Sequence, residues 1–250
     1  MTTITIDAPA LRGRSGRGVS VAVIDSGVNP DHPHVGEIAG GVAFTTDGEV
    51  HDDVVDRLGH GTAVIAAIQE KAPDADIHVL KVFDDALATS VPTLVKAIDW
   101  ASERHIWLVN LSLGTPNSAR AAQLAAAVER ARSRGTIIVS AREHEGIPWL
   151  PGSLPGVLGI LLEEDCPRDA VRVLADASEQ SSGGVVLLAS GYPRPIPGVP
   201  PERNLNGISF AVANATGMVA RAAEGTDRLT VGGVARLLDT AAGSGPRRES

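Results

Sequence analysis

The chain has 250 residues, 43% of them hydrophobic, and a formal net charge of −8 at pH 7. This length suits one large α/β domain or two small ones. The negative charge argues against a surface for nucleic acid or anionic membranes, and no apolar run approaches the roughly eighteen residues of a membrane span. We therefore expect neither as a partner. The single cysteine excludes an internal disulfide, and residues 1–17 lack a signal-peptide core, so we expect a cytoplasmic protein.

Strand-like and helical segments alternate along the chain. Short runs rich in β-branched residues predict buried strands at 19–24, 40–44, 77–83, 106–113, 136–141, 157–162 and 185–189. Helices are predicted from 60 to just before Pro73, and at 91–104, 118–134, 209–224 and 231–242. This alternation predicts an α/β fold, with a mainly parallel sheet flanked by helices on both faces. Residues 1–250 are predicted to form one domain, with 1–17 and 243–250 flexible.

Three residues lie at predicted strand ends or helix starts. Ser209 opens a run of small apolar residues in which Gly217 would let a neighbour pack closely, and the first turn of a helix suits a nucleophile whose attack creates an oxyanion. Asp25 ends the first predicted strand and His60 begins the first helix. A serine nucleophile needs a base with a pKa near neutrality, and that base needs an acceptor to fix its tautomer. Ordinary capping remains the alternative for Ser209 and Asp25.

Four motifs in this order resemble the subtilisin-like serine peptidases, the subtilases. They are Val21–Gly27 with Asp31–Pro33, His60–Val64 followed by Ala72–Ala75, Val109–Gly114, and Asn206–Ala211. The chain order Asp, His, Ser is also that of subtilisin. The resemblance covers about residues 19–224. It implies a three-layer subtilisin-like fold and a serine endopeptidase, a hydrolase acting on peptide bonds.

The resemblance also assigns roles to residues. It makes Ser209 the nucleophile, His60 the general base and then general acid, and Asp25 the group that orients His60. Two segments would hold an extended substrate, one as a strand paired with it and one as the facing edge. They are Leu111, Ser112, Leu113 and Gly114, and Leu87, Ala88 and Thr89.

The sequence departs from the family pattern at the oxyanion hole. His144 takes the position of the usual asparagine, and Glu143 that of a glycine. Histidine is an acceptable donor, so we expect His144 and the backbone N–H of Ser209 to form the hole. The alternative is that His144 is only a loop residue and the hole is incomplete.

We expect no metal and no cofactor. The His and Asp residues at 31–34 and 51–53 lack an HExxH-type spacing, and part of them belongs to the family pattern. The helix begun by His60 also runs into Pro73 without the inserted loop that supplies calcium ligands in secreted subtilisins.

These features favour a compact intracellular subtilase that acts as a dedicated processing or leader-removing protease on a peptide or protein precursor. Relatives of this kind occur in bacterial peptide-modification pathways, for example in the maturation of quinohemoprotein amine dehydrogenase. Two alternatives stay open. One is a weak or inactive pseudopeptidase that binds extended peptides, which His144 and Glu143 favour; the other is an acyl-transferring ligase or cyclase. The sequence does not determine the natural substrate or the oligomeric state.

Overall fold

The computed structural model describes residues 3–45, 49–174, 185–200 and 203–243. The strands are β1 (Thr3–Asp7), β2 (Ser20–Asp25), β3 (Gly40–Phe44), β4 (Val50–His51), β5 (Asp76–Lys81), β6 (Leu108–Leu111), β7 (Ile137–Ala141), β8 (Glu143–His144), β9 (Ile147–Pro148), β10 (Leu158–Leu162), β11 (Ala170–Leu174) and β12 (Val186–Ala189). The α-helices are α1 (His60–Lys71), α2 (Val91–Glu103), α3 (Ala121–Ser133), α4 (Ile208–Ala223) and α5 (Val231–Gly243). Short 3-10 helices lie at Ala8–Leu11 and Ser118–Arg120.

In the described part of the chain, ten strands form one sheet in the order β1-β11-β12-β10-β7-β6-β2-β5-β3-β4. Neighbours from β12 to β3 run parallel, and the antiparallel pairs lie towards the two edges. The mainly parallel α/β sheet predicted from the sequence is confirmed. None of the helices within the described ranges is long and apolar enough to cross a membrane.

The two faces of the sheet carry different helices. Side chains alternate along a strand, so Val21 and Val23 of β2 join the cluster that includes α1, α4 and α5, whereas Ala22 and Ile24 join the cluster with α2 and α3. Burial on both faces explains why the strands read as nearly continuous apolar runs. Because the central strands are parallel, their carboxyl ends all lie at one edge of the sheet, where the next loops and helices begin.

The prediction that residues 1–17 are flexible is wrong for the residues described. β1 pairs antiparallel with β11, and Ile6 is fully buried. The 3-10 helix follows directly, and its Leu11 is also buried. Alternation of Thr and Ile in β1 is the pattern of a half-buried strand, and its partner β11 was likewise not predicted. Of the tail predicted to be flexible, residue 243 ends α5 and residues 244–250 lie outside the described ranges.

Helices α1 and α4 approach each other at Gly217, where the sequence predicts room for a close neighbour without identifying it. A Cβ atom added there would lie 2.8 Å from the carbonyl oxygen of Ile68 and 3.0 Å from Cβ of Lys71. The first distance is shorter than real Cβ contacts, so a larger residue would push the helices apart. Close packing here fixes the last turn of α1 against the middle of α4.

We predict that Gly217→Ala destabilises the protein by about 1–3 kcal/mol, because overpacking outweighs the better helix propensity of alanine. Gly233→Ala in α5 is the matched control, since the nearest atom to an added Cβ there is 3.4 Å away. That variant should be stabilised by up to about 1 kcal/mol. Urea unfolding of both variants measures the difference; equal effects would contradict the proposed role of Gly217.

Candidate active site

Asp25 is the last residue of β2, which lies between β5 and β6 in the sheet. Its carboxylate is buried, and its Oδ1 lies 2.7 Å from Nδ1 of His60 and accepts a hydrogen bond of 2.7 Å from the backbone N–H of Ser26. Oδ2 is buried and receives no hydrogen bond from the described residues. The position of Asp25 therefore depends on the strand end and on His60 together.

His60 is the first residue of α1, and its side chain is 19% exposed. Burial lowers the pKa of its imidazole, but the hydrogen bond to Asp25 and the charges of Asp25 and Asp56 outweigh it, so the pKa lies above its ordinary value. A neutral ring that donates from Nδ1 to Asp25 leaves Nε2 as a proton acceptor. His60 is thus arranged as a base.

Sequence reasoning missed a second carboxylate at this site, Asp56. Its Oδ1 accepts hydrogen bonds from Ser26 Oγ (2.9 Å) and the Gly59 N–H (2.8 Å). Its Oδ2 accepts from Thr62 N (2.9 Å) and Oγ1 (2.6 Å), and Ser26 Oγ accepts in turn from the Gly61 N–H (2.8 Å). Burial raises the pKa of Asp56, yet these hydrogen bonds hold it below its ordinary value. An acid just before a helix start is the signal that could have identified it.

Ser209 is the second residue of α4, and Gly207 occupies the cap position, so the alternative interpretation of Ser209 as the helix cap is wrong. Its Oγ donates to the Ser112 carbonyl oxygen at 3.2 Å, and Ser112 Oγ donates to the Ser209 carbonyl oxygen at 3.2 Å. The described residues contain no hydrogen bond between Ser209 and His60. The rings of His60 and Phe210 are nevertheless 5.9 Å apart, which places the two helix starts side by side.

A buried hydrogen-bond network holds Ser112 in place. Asn110 is fully buried in β6; its Nδ2 donates to Ser112 Oγ at 3.0 Å and its Oδ1 accepts from Thr216 Oγ1 at 3.0 Å. These bonds connect the end of β6 to α4, and therefore to the helix that carries Ser209. The sequence prediction did not assign this role to Asn110, although a polar residue inside an otherwise apolar strand is a signal for such a network.

The two segments expected to hold an extended chain leave the strands on either side of β2. Residues 111–114 begin at the last residue of β6 and contact Ser209 through Ser112. Residues 87–89 lie in the exposed loop between β5 and α2, with Leu87 56% exposed. A Cβ atom added at Gly114 would lie 2.9 Å from Cε3 of Trp149. The indole of Trp149 therefore packs directly against the first segment.

His144 lies in a short hairpin formed by β8 and β9. The two turn residues, Glu145 and Gly146, have φ values of 53° and 77°, as a type I′ turn requires. His144 is exposed, and its ring meets that of Trp149 edge-on with centroids 5.4 Å apart. Trp149 in turn packs against Gly114, so His144 is linked to the first segment through Trp149.

The residues weighed as metal ligands do not gather into a metal site. His32 and His34 contact each other through their rings, 5.3 Å apart. Among the residues that the structure describes, no group of three or more His, Cys, Asp or Glu side chains could hold a metal ion.

We predict that Asp56→Asn lowers the pKa of His60, because the substitution removes a negative charge that favours the imidazolium. The measurement is an NMR titration of the His60 ring protons in the folded variant. Asp53→Asn is the matched control, since Asp53 is exposed and pairs with Arg57 at 2.7 Å. A pKa equally shifted by both variants would contradict a specific effect of Asp56.

The chain is similar to known proteins in sequence and in structure. A profile described as the Subtilase family matches residues 16–143, which include Asp25 and His60 but not Ser209. Subtilisin Savinase of Lederbergia lenta is 32% identical over 226 residues, covering 85% of this chain and 77% of that protein. The alkaline protease of Alkalihalobacillus alcalophilus is also 32% identical over 226 residues, and the chain spans 54% of its length.

Solved structures are similar as well. Sphericase superposes with a TM-score of 0.69 and 24% identity, covering 88% of this chain and 81% of that one. A cold-adapted subtilisin-like serine proteinase superposes with a TM-score of 0.68 and 21% identity, covering 91% and 83%. At these identities the structural similarity supports the fold.

Proposed function

The chain belongs to the subtilase family, and from that premise we propose that it is a serine endopeptidase. Ser209 is the nucleophile, His60 the general base and general acid, and Asp25 the group that orients His60. The observation that carries the proposal is the 2.7 Å contact between Asp25 Oδ1 and His60 Nδ1, which leaves Nε2 as acceptor beside the start of α4.

The proposed reaction has two halves. Ser209 Oγ attacks the carbonyl carbon of the substrate while His60 Nε2 takes its proton; the C–N bond then breaks and His60 returns the proton to the departing amine. Water next attacks the acyl-enzyme, and His60 repeats both transfers. For the first step the hydroxyl of Ser209 must leave the Ser112 carbonyl oxygen, which a rotation about its Cα–Cβ bond permits.

Residues 111–114 would pair with the acyl side of the substrate as an added strand, and residues 87–89 would form the facing edge. Trp149, packed against Gly114, restricts the space beside the first segment. A restricted cleft supports a selective enzyme over a general one. On this ground we propose a dedicated processing or leader-removing role on a peptide or protein precursor. We also propose a cytoplasmic location, which the single cysteine supports.

We predict that a fluorophosphonate probe labels the protein at Ser209. Ser209→Ala should abolish labelling and lower kcat by about 10⁶-fold, the size of the loss on removing the nucleophile of a subtilisin. Ser133→Ala, at the end of α3 on the other face of the sheet, is the matched control and should label normally. Mass spectrometry of the labelled peptide checks the site. Labelling that survives Ser209→Ala would contradict the assignment.

One observation favours a second candidate, a pseudopeptidase that grips an extended peptide without cutting it. Ser209 Oγ is hydrogen-bonded to Ser112, and the described residues show no bond from it to His60. In that case the protein would bind peptides in the cleft while the probe and peptide substrates both stay unreacted.

We further propose that His144 donates to the oxyanion together with the backbone N–H of Ser209. Its position in the chain and its edge contact with Trp149, the neighbour of Gly114, support the proposal. Its exposure at the hairpin would let the ring turn towards a bound substrate.

If this is correct, His144→Ala lowers kcat by about 10²–10³-fold with little change in KM, a magnitude taken from the oxyanion donor of subtilisin. Glu143→Ala is the control, because adjacent residues of a strand point to opposite faces. Steady-state kinetics on one peptide substrate compare the two variants. An unchanged kcat in His144→Ala would mean that this side chain is only part of the loop.

A further inference from the structure

A cavity of about 640 Å³ lies next to the start of α1 and has no role in the chemistry described so far. Its floor is one face of α1 and the residue before it, where Gly59, Ala63 and Ala66 recur at helical spacing. Ile196 and Leu205, from the Pro- and Gly-rich loop before α4, form part of the opposite wall and are 48% and 58% exposed. Small residues on the helix leave the space, and exposed apolar residues border it.

The cavity is built by hydrogen bonds that hold its walls together. Nδ2 of Asn214, fully buried in α4, donates to the carbonyl oxygens of Ser190 (2.8 Å) and Tyr192 (2.9 Å) at the start of the loop. Further along, Arg194 Nη1 donates to the His34 carbonyl oxygen at 3.1 Å. The loop is thus attached both to α4 and to the segment that follows β2.

The position of the cavity follows from the two faces of the sheet. The proposed acyl-side segments border the face with α2 and α3: Leu111 packs in that cluster, and residues 87–89 lead into α2. The cavity instead borders α1 and the loop that enters α4, on the other face. His60 begins α1 directly after Gly59, which lines the cavity, so a substrate that extends across the site on the side of His60 reaches the cavity after the bond to be cut.

The lining is mainly apolar, and the charged groups of Asp56 and Arg194 in it make hydrogen bonds within the protein. The Asp56 carboxylate is occupied by the hydrogen bonds at the start of α1. Burial and the charge of Arg194 hold the pKa of His34 below its ordinary value, so its imidazole is neutral at neutral pH. Such a cavity favours an aliphatic or aromatic side chain over a charged one.

We propose that this cavity binds a bulky apolar side chain of the substrate on the leaving-group side, within the first three residues after the scissile bond. Three extended residues span about 10 Å, enough to pass from the bond held at Ser209 and His60 onto α1. The inference rests on the proposed function and adds a specificity that the catalytic residues do not supply. His60 hands its proton to the leaving amine, so the leaving chain departs beside Gly59 and the mouth of the cavity.

Internally quenched peptides test the proposal. All the peptides have the same sequence before the scissile bond. In one peptide the three residues after the bond are Ser, and in three others a single Leu replaces the first, second or third Ser. Burial of one Leu should raise kcat/KM by about 10- to 100-fold at one of these places. Ala63→Phe, which fills the cavity, should remove that gain. Ala125→Phe, on the exposed face of α3, is the matched control and should keep it. A gain below threefold at every place, or one that survives Ala63→Phe, would overturn the proposal.

Two further measurements separate this inference from the proposed function. Turnover of an acetyl-tripeptide p-nitrophenyl ester, which has no peptide on the leaving side, reports the catalytic residues alone. The second measurement is the affinity of the Ser209→Ala variant for the same Leu and Ser peptides without the quencher, determined by fluorescence anisotropy. It reports the cavity alone. Leu should bind about 10-fold more tightly than Ser, and Ala63→Phe should cancel the difference. Equal affinities would overturn the cavity proposal even if the ester is hydrolysed.

Discussion

The hydrogen bond between Asp25 and His60 is the constraint on which the rest of the site depends. A buried carboxylate is costly unless it is paired, and Asp25 has the Ser26 N–H and the imidazole as its partners. To form this pair, the first turn of α1 must lie against the turn after β2. Gly61 allows this, because a Cβ atom added there would lie 2.3 Å from the carbonyl oxygen of Gly27. Backbone contact between a helix start and a strand end thus sets the geometry of the pair.

Asp56 stabilises the close approach of the first turn of α1 to the turn after β2. It accepts hydrogen bonds from the first turn of α1 and from Ser26, so it joins the two elements that Asp25 and His60 belong to. It also adds negative charge near an imidazole whose burial would otherwise favour the neutral form. One carboxylate therefore orients the ring directly, while the other holds the helix and acts on the ring through its charge. The packing of the last turn of α1 on α4 at Gly217 further fixes the two helices relative to each other.

The sequence predicted the fold from local patterns, and it placed Asp25 at a strand end and His60 and Ser209 at helix starts, but their roles as one site were implied only by the resemblance to the subtilases. Buried parallel strands read as apolar runs, and residues at their ends meet at one edge. The position of Asp56 just before α1 is a local signal for a helix cap, but its bond to Ser26, in a separate element, could not be derived from that pattern. The hydroxyl direction of Ser209 depends on Ser112, ninety-seven residues away. The pairing of β1 with β11 was missed for the same reason: an edge strand is defined by a distant partner, and its own pattern is short.

The two helical faces of the sheet give the site its asymmetry. On the α2 and α3 side, the indole of Trp149 packs directly against Gly114. On the α1 side, Ala63 and Ala66 leave an apolar cavity open. The residues of α1 that line the cavity are separate from Ile68 and Lys71, which contact Gly217, so the cavity does not interrupt that contact. A substrate crossing from one side to the other would meet a steric filter before the scissile bond and an apolar anchor after it. Substrate residues on both sides of the scissile bond would then contribute to selectivity.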